Sequence, residues 1–389
     1  MSGKSSLAKY ERDLKSSLFS LLQKQGFRLG EDQLVKEKSY SKKQVRQRHA
    51  YSRNERLLEE SKLVEKWLPR VSKYFASGSD IDLKRVDPYP VVISESDDEF
   101  AALFRIASLW WSIPVSKGFG RRFRILIFDR SNDKLIGLLA LTDPVFNLRT
   151  RDSWVGWNVK TREKMLAHVM DACVLGAVPP YNEILGAKLV ALIASSNFVR
   201  DVFRKRYKKS ESVILGREFD GRLAMVTATS ALGVSSIYNR LSFDGVSLFN
   251  HVGFTEGYGH FHLANGTYEK LREYLRMIDN DEVERYKFGS GPNYRIRIVR
   301  TALENLGLSG HLLRHGIKRA VYLSPLAANT PEFLRGETKR LRWFDRPLGD
   351  VVDHWKTRWM LPRAERDQSY LNFDKKQWKR ILKPREDEF

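Results

Sequence analysis

The chain has 389 residues, 42% hydrophobic and 30% charged, a balance that suits a folded protein with a sizeable core and excludes a disordered one. Lys and Arg total 68 against 47 Asp and Glu, a formal net charge of +21, which favours polyanionic partners: DNA, RNA or anionic lipid. No apolar run approaches the ~20 residues of a membrane span, and the start MSGKSSLAKYERDLK lacks the apolar stretch of a secretory signal, so lipid ranks behind nucleic acid and a cytoplasmic location is expected.

The first stretch reads as helices. Leu18, Leu21 and Leu22 mark one apolar face within residues 5–25. Residues 41–50 carry Lys42, Lys43, Arg46 and Arg48 without an acid, and read as a solvated linker rather than a phosphate-contacting helix face. Helical spacing resumes over residues 54–76 through Leu57, Leu58, Val64, Trp67, Leu68, Val71 and Tyr74. Asp87-Pro88-Tyr89-Pro90 breaks regular structure and marks a boundary.

The middle of the chain changes character. Residues 122–128 and 135–141 read as paired strands around the turn cluster at 129–133. A helix is predicted over about residues 160–171, then a strand over 172–178 that Pro179-Pro180 ends. Helices over 184–194 and 198–207 follow, then a strand at 223–229, a short helix at 235–241 and a strand at 258–263. Strands interleaved with helices predict a mixed α/β sheet. From about residue 281 the chain is basic and helix-rich, with helices near 298–306 and at 348–361, the latter carrying Val351, Val352, Trp355 and Trp359 on one face. The division is thus a helical region 1–98, an α/β core 99–280 and a basic helical extension 281–389.

Five constellations bear on chemistry. At Val178-Pro179-Pro180-Tyr181-Asn182-Glu183-Ile184-Leu185-Gly186-Ala187-Lys188 a strand, a turn and a glycine-started helix form a place where backbone N–H groups can meet an anion. Its order with the preceding hairpin resembles a GNAT acyltransferase, in which this junction cradles the acyl-CoA pyrophosphate. The expected basic residue is missing in either register, and Glu183 would compete with a phosphate, so acyl-CoA use is not expected. In the same resemblance Tyr238 matches the tyrosine that protonates the leaving thiolate; the alternative, a packed Tyr238 with a bonded hydroxyl, is preferred. If residues 258–263 form a strand, His260 and His262 share one face and invite a metal with Glu256 or His251. Pairs of this kind on an exposed sheet are seldom ligands, and neither metal nor cofactor is expected. Asp152, Glu183 and Glu256 are carboxylates that a nuclease could use for Mg²⁺, although nothing in their spacing forces them together. The single cysteine, Cys173, sits in an apolar run and reads as a small buried hydrophobe.

The fifth constellation is cationic. Arg204, Lys205, Arg206, Lys208 and Lys209 crowd around Tyr207, with Arg204 and Lys208 one helical turn apart. Gly118-Phe119-Gly120-Arg121-Arg122 forms a second basic cluster whose glycines permit close approach of a ligand. Arg121, Arg122 and the 204–209 run are the candidate nucleic-acid contacts; a merely solvated face is the alternative.

Long, unusual motifs add a family resemblance. They are Trp111-Ser112-Ile113-Pro114 with Gly118-Phe119-Gly120-Arg121-Arg122; Asp143-Pro144-Val145-Phe146 with Arg151-Asp152-Ser153-Trp154-Val155-Gly156-Trp157; Leu175-Gly176-Ala177-Val178-Pro179-Pro180-Tyr181-Asn182; Thr229-Ser230-Ala231-Leu232-Gly233 with Ser235-Ser236-Ile237-Tyr238-Asn239-Arg240-Leu241; and Gly253-Phe254-Thr255-Glu256-Gly257-Tyr258-Gly259. Together they resemble the A-component family of the Druantia bacterial anti-phage defence system, from about residue 60 to Leu361-Pro362-Arg363-Ala364. The resemblance implies a defence role beside a large helicase and other system components, and supplies no catalytic residue. The expectation is a GNAT-like α/β core with helical extensions that binds or senses nucleic acid, DNA before RNA, with a homo-oligomer open. The alternative is a metal-dependent nuclease or another enzyme modifying nucleic acid, for which Asp152, Glu183, Tyr238, His260 and His262 are the weak catalytic candidates.

Overall fold

The computed structural model describes residues 2–30, 34–35, 40–115, 118, 120–210, 218–263, 266–278 and 292–385. Its centre is a seven-stranded sheet built from β1 (Pro88–Val92), β2 (Arg122–Asp129), β3 (Lys134–Thr142), β4 (Val169–Ala177), β5 (Met225–Ser230), β8 (Asn250–Phe254) and β9 (Ala320–Pro325). A separate small hairpin pairs β6 (Ser242–Phe243) with β7 (Val246–Ser247). The spatial order is β1-β2-β3-β4-β5-β9-β8. Every neighbouring pair is antiparallel except β4 with β5.

The expected hairpin at residues 122–141 is β2 and β3. Both strands are near-continuous apolar runs because both faces of the sheet are covered. The prolines at 88–90 do not end regular structure as anticipated. They lie in β1, an edge strand, where a missing N–H costs no ladder bond.

Helices follow in chain order as α1 (Ser2–Lys24), α2 (Lys42–Glu59), α3 (Ser61–Val71), α4 (Asp98–Ser108), α5 (Arg149–Val155), α6 (Val159–Met165), α7 (Gly186–Ala194), α8 (Asn197–Tyr207), α9 (Thr267–Met277), α10 (Pro292–Asn305), α11 (Thr330–Leu334), α12 (Leu348–Trp355), α13 (Leu361–Arg366) and α14 (Gln377–Ile381). One sheet face packs against α7, α8 and α12, with Leu189, Val190, Phe203, Val351 and Trp355 buried there. Gly137 permits the approach of α7, since a Cβ at that position would sit 2.6 Å from Val190 and 2.7 Å from the Gly176 carbonyl. The other face packs against α3 and α4 and receives Trp378 of α14. Trp355 and Trp378 are fully buried, and each contributes at least the ~1.5–3 kcal/mol typical of a buried large side chain. A second helical core joins α1, α9 and α10 through Leu18, Leu22, Leu271, Leu275, Ile298 and Leu303.

Five expectations need correction. Residues 41–50 are not a linker but the start of α2. There Ser41 accepts the N–H of Gln44 (3.2 Å) while the Gln44 side chain accepts the N–H of Ser41 (2.8 Å), a capping box. Residues 235–241 are turns, not a helix, and residues 258–263 are bends and turns, not a strand. The helix expected over 160–171 stops at Met165, and β4 already begins at Val169. Over 348–361 the α12 helix gives way to a π-turn at Lys356–Met360.

The sheet opens at one place. β4 and β5 pair only at Val169–Met225, Met170–Val226 and Asp171–Thr227. In β4 the register against β3 then skips Cys173, a bulge that bends the strand away.

Candidate nucleic-acid interface

In α8 the residues spaced four apart, Val199, Phe203 and Tyr207, are buried, while Arg204, Lys205 and Arg206 of the last turn are exposed. Cations in a last turn are favoured by the helix dipole. The Tyr207 hydroxyl donates to the Arg122 carbonyl (2.9 Å), and the Tyr207 ring packs near Phe123. This contact brings the two basic clusters of the sequence, some eighty positions apart, to one end of the sheet. The helix ends at Tyr207, with Lys208 extended and Lys209 in a left-handed conformation (φ 67°). Arg204 and Lys208 therefore do not continue one helical face as expected, although both are exposed.

Alternation along β2 places Arg122 and Arg124 on the face opposite Phe123. The Arg124 guanidinium lies 5.7 Å above the Phe104 ring of α4. Burial holds it below the usual arginine range, and the positive charges of Arg122, Arg105 and Arg206 push it further down. Four guanidinium groups from α4, β2 and α8 thus share one field. Its counter-charges are few. Glu60 bridges Arg56 and Arg105, and Arg206 meets Glu95 at 3.1 Å, with the Glu95 side chain 92% exposed. Among the described residues neither Arg122 nor Arg124 has a carboxylate partner. Arg105 and Arg124 went unnoticed in the sequence. The alternation of RFRILIF was the available sign for Arg124, whereas Arg105 joins only through tertiary packing.

Arg121 behaves differently from the rest. Its backbone N–H and its guanidinium both bond Asp143 (2.7–2.9 Å), and the guanidinium faces the rings of Phe203, Tyr207 and Phe219. It holds α8 to the sheet and is neutralised in place.

The weak catalytic candidates are scattered. Asp152 is engaged by the fully buried Arg151 (2.7 Å), by Arg162 (3.0 Å) and by the Leu148 N–H (3.2 Å), so it serves as the centre of a structural charge network. The Glu183 carboxylate accepts from the Asn182 side chain (2.9 Å), and its backbone carbonyl accepts from Arg363. Glu256 lies on the surface near Arg149. The expected strand face that would align His260 with His262 does not exist. His262 is fully buried with Nε2 2.9 Å from the Leu312 carbonyl, and burial pushes it down to about 4. Among the described residues no group of three His, Cys, Asp or Glu is arranged to hold a metal ion. Tyr238 is buried between the rings of Phe249 and Tyr322, and burial with the nearby Asp171 raises its hydroxyl well above the usual range.

Around the 179–186 turn the anion site is closed by the chain itself. The N–H groups of Gly186 and Lys188 bond the carbonyls of Tyr181 and Leu185, and Trp355 donates to Leu185 (3.0 Å). The buried Lys188 ammonium holds the carbonyls of Ser236, Ile237 and Asn239 at 2.9–3.0 Å and sits 4.2 Å from the Trp359 ring. That clamp explains why residues 235–241 form turns.

No helix among the described residues is long and apolar enough to cross a membrane. No solved structure matches the chain. The family described as Druantia protein DruA matches residues 39–336. The Druantia protein DruA of Escherichia coli strain UMEA 4076-1 is 39% identical over 363 residues, covering 92% of this chain and 89% of that protein. The chain belongs to the DruA family, the Druantia anti-phage defence component whose motifs its sequence resembles.

Proposed function

We propose that the chain serves Druantia defence by binding nucleic acid, DNA before RNA, at the end of the sheet where α4, β2 and α8 meet. The observation that carries this reading is the convergence of Arg105, Arg122, Arg124 and Arg206, two of them without a carboxylate partner among the described residues, beside the exposed Arg204, Lys205, Lys208 and Lys209. A planar guanidinium suits phosphate, and a cluster that repels itself gains most when a polyanion arrives. A helicase partner and other system components belong to this proposal through the family resemblance alone, and a homo-oligomer is carried beside them as an open part of it.

We read the sheet as GNAT-like. Its order, its single parallel pair and the parting of β4 from β5 after Asp171 support that reading. The self-bonded turn at 179–186 and the Lys188 clamp argue against acyl-CoA chemistry at that place. The division into 1–98, 99–280 and 281–389 stays part of the proposal.

Fluorescence anisotropy with labelled single- and double-stranded DNA and RNA, across a salt series, tests the binding role. Replacing Arg122 and Arg124 by Glu is expected to weaken binding at least about tenfold. It is also expected to lower the salt slope by about two, near 0.9 per duplex phosphate contact. An unchanged slope removes this surface from the reading. Cleavage of the oligonucleotide with Mg²⁺ or Mn²⁺ would instead favour the enzyme alternative.

A further inference from the structure

A cleft of about 210 Å³ lies between α1, α2 and α9, in the helical part of the molecule and on elements other than those of the arginine cluster. Ser17, Ser20, Leu21 and Lys24 line it from α1, at spacings of three and four that put them on one helix face. Tyr51 of α2 joins the buried Leu21 on the floor, and Lys270 of α9 stands at the rim. Lys24 and Lys270 are exposed, and among the described residues neither meets a carboxylate. Two acids of the neighbourhood are engaged elsewhere: Glu55 accepts the Gly266 N–H (3.0 Å), and Glu273 accepts the Tyr10 hydroxyl (3.1 Å). The attraction for an anion comes from the two ammonium groups and the serine hydroxyls.

We propose that this cleft binds a free mononucleotide, with its phosphate between Lys24 and Lys270 and its base against the Leu21–Tyr51 floor. Two exposed lysines and two serine hydroxyls lining one concave wall can together give a phosphate charge-assisted hydrogen bonds. An aromatic ring beside an apolar side chain gives the base a stacking surface. The volume falls below the ~300–1,000 Å³ of drug-sized pockets, which suits a base held on the floor with the sugar and phosphate reaching the lysines at the open rim. The inference stands apart from the arginine cluster and does not require it.

Calorimetry and thermal unfolding of the full chain with AMP, adenosine and inorganic phosphate test the assignment. AMP is expected to bind and to raise the melting temperature, adenosine to do neither, and phosphate to bind more weakly than AMP. Replacing Lys24 or Lys270 by Ala is expected to weaken AMP at least about tenfold each, the loss of one charge-assisted bond. Ser17→Trp, at an exposed position, is expected to fill the cleft and abolish binding. The variant with Arg122 and Arg124 replaced by Glu is expected to bind AMP as before. AMP binding no tighter than phosphate, unchanged in the lysine variants, or lost with the arginine pair overturns the proposal, as does the absence of any binding.

Discussion

Lowering the pH from 7 to 4.5 is expected to loosen the docking of the helical core on the sheet, through three histidines buried where they meet. The His49 ring stacks on Phe261 with centroids 3.9 Å apart, and its Nδ1 donates to the Val45 carbonyl (2.9 Å). Its Nε2 faces the buried Arg319 guanidinium at 3.5 Å. His262 bonds the Leu312 carbonyl and lies 5.6 Å from His315, whose Nδ1 accepts the Ile317 N–H. Burial pushes His49 and His262 down to about 4 and His315 to about 2, with Arg319 and the neighbouring histidines adding to the fall. A histidine whose folded pKa lies below its unfolded value near 6.5 binds more protons when unfolded. Stability is therefore complete above about pH 6.5 and falls as pH drops toward the folded value. For His49 or His262 a drop of about 2.5 units at 1.36 kcal/mol each is about 3 kcal/mol, a large share of the ~5–15 kcal/mol that holds a domain together. The two are not additive, because the first imidazolium repels the second. Glu55 and Asp171, whose carboxyls burial raises, oppose the trend by gaining stability as they protonate. Urea midpoints at half-unit pH steps, followed by tryptophan fluorescence with m held constant, measure the slope. His49→Gln combined with His262→Gln should flatten it. A midpoint constant from pH 6.5 to 4.5 in the parent protein would refute the reasoning.

Three further outcomes follow from single sites. Asp152→Asn should destabilise the protein by about 3–5 kcal/mol in chemical denaturation, because it strips the counter-charge from the buried Arg151 and Arg162; unaltered stability would reopen a catalytic role for Asp152. Lys188→Met should cost about 2–4 kcal/mol and expose residues 235–240 to protease, since three carbonyls lose a charged donor at once. Cys173, pushed up to about 12 by burial and the Asp171 carboxylate, should react with a disulfide reagent at pH 8 only after unfolding, the thiolate being about one part in ten thousand. Fast labelling of the folded protein would show that strand β4 opens.

The parts of the fold that were legible are those where local pattern and tertiary need agree. The β2–β3 hairpin, the stop after β4 and the paired helices α7 and α8 follow directly from apolar runs and turn residues. The strand expected at 258–263 failed for a reason the sequence holds only weakly. Gly257 is left-handed (φ 69°), and a Cβ there would stand 2.7 Å from the Gly316 backbone, so the chain turns tightly against the 316 segment. The alternating Tyr258, His260 and His262 then have no common face. Residues 41–50 misled in the opposite direction. Their charge run suggested solvent, while Ser41 and Gln44 already spelled a capping box and Val45 and His49 supplied the buried face. In the candidate interface, Arg122 and the 204–209 run were readable as clusters. Their union through the Tyr207–Arg122 bond, and the addition of Arg105 from α4, are long-range facts.

A net charge of +21 does not by itself describe a surface, because the cations divide into two populations. Arg121, Arg151, Arg162, Lys188, Arg319 and Arg346 face inward, bound to carboxylates, carbonyls or rings. Arg346, for example, bonds the carbonyls of Ser195 and Pro325 and is pushed down to about 10 by burial. These groups hold elements together and add little to the field that a distant phosphate meets. At physiological salt that field reaches about 8 Å, so only cations sharing one patch act in concert. The Arg105, Arg122, Arg124 and Arg206 groups do share one: after burial, the charges of Arg122, Arg105 and Arg206 push Arg124 below the usual range. The consequence is quantitative. If a patch of this size carries the binding, log affinity should fall with log salt at a slope of about 4 to 7, from four to eight phosphate contacts. A slope close to the full formal charge would mean that binding is spread over the whole molecule, and a slope near zero that phosphate is not the partner.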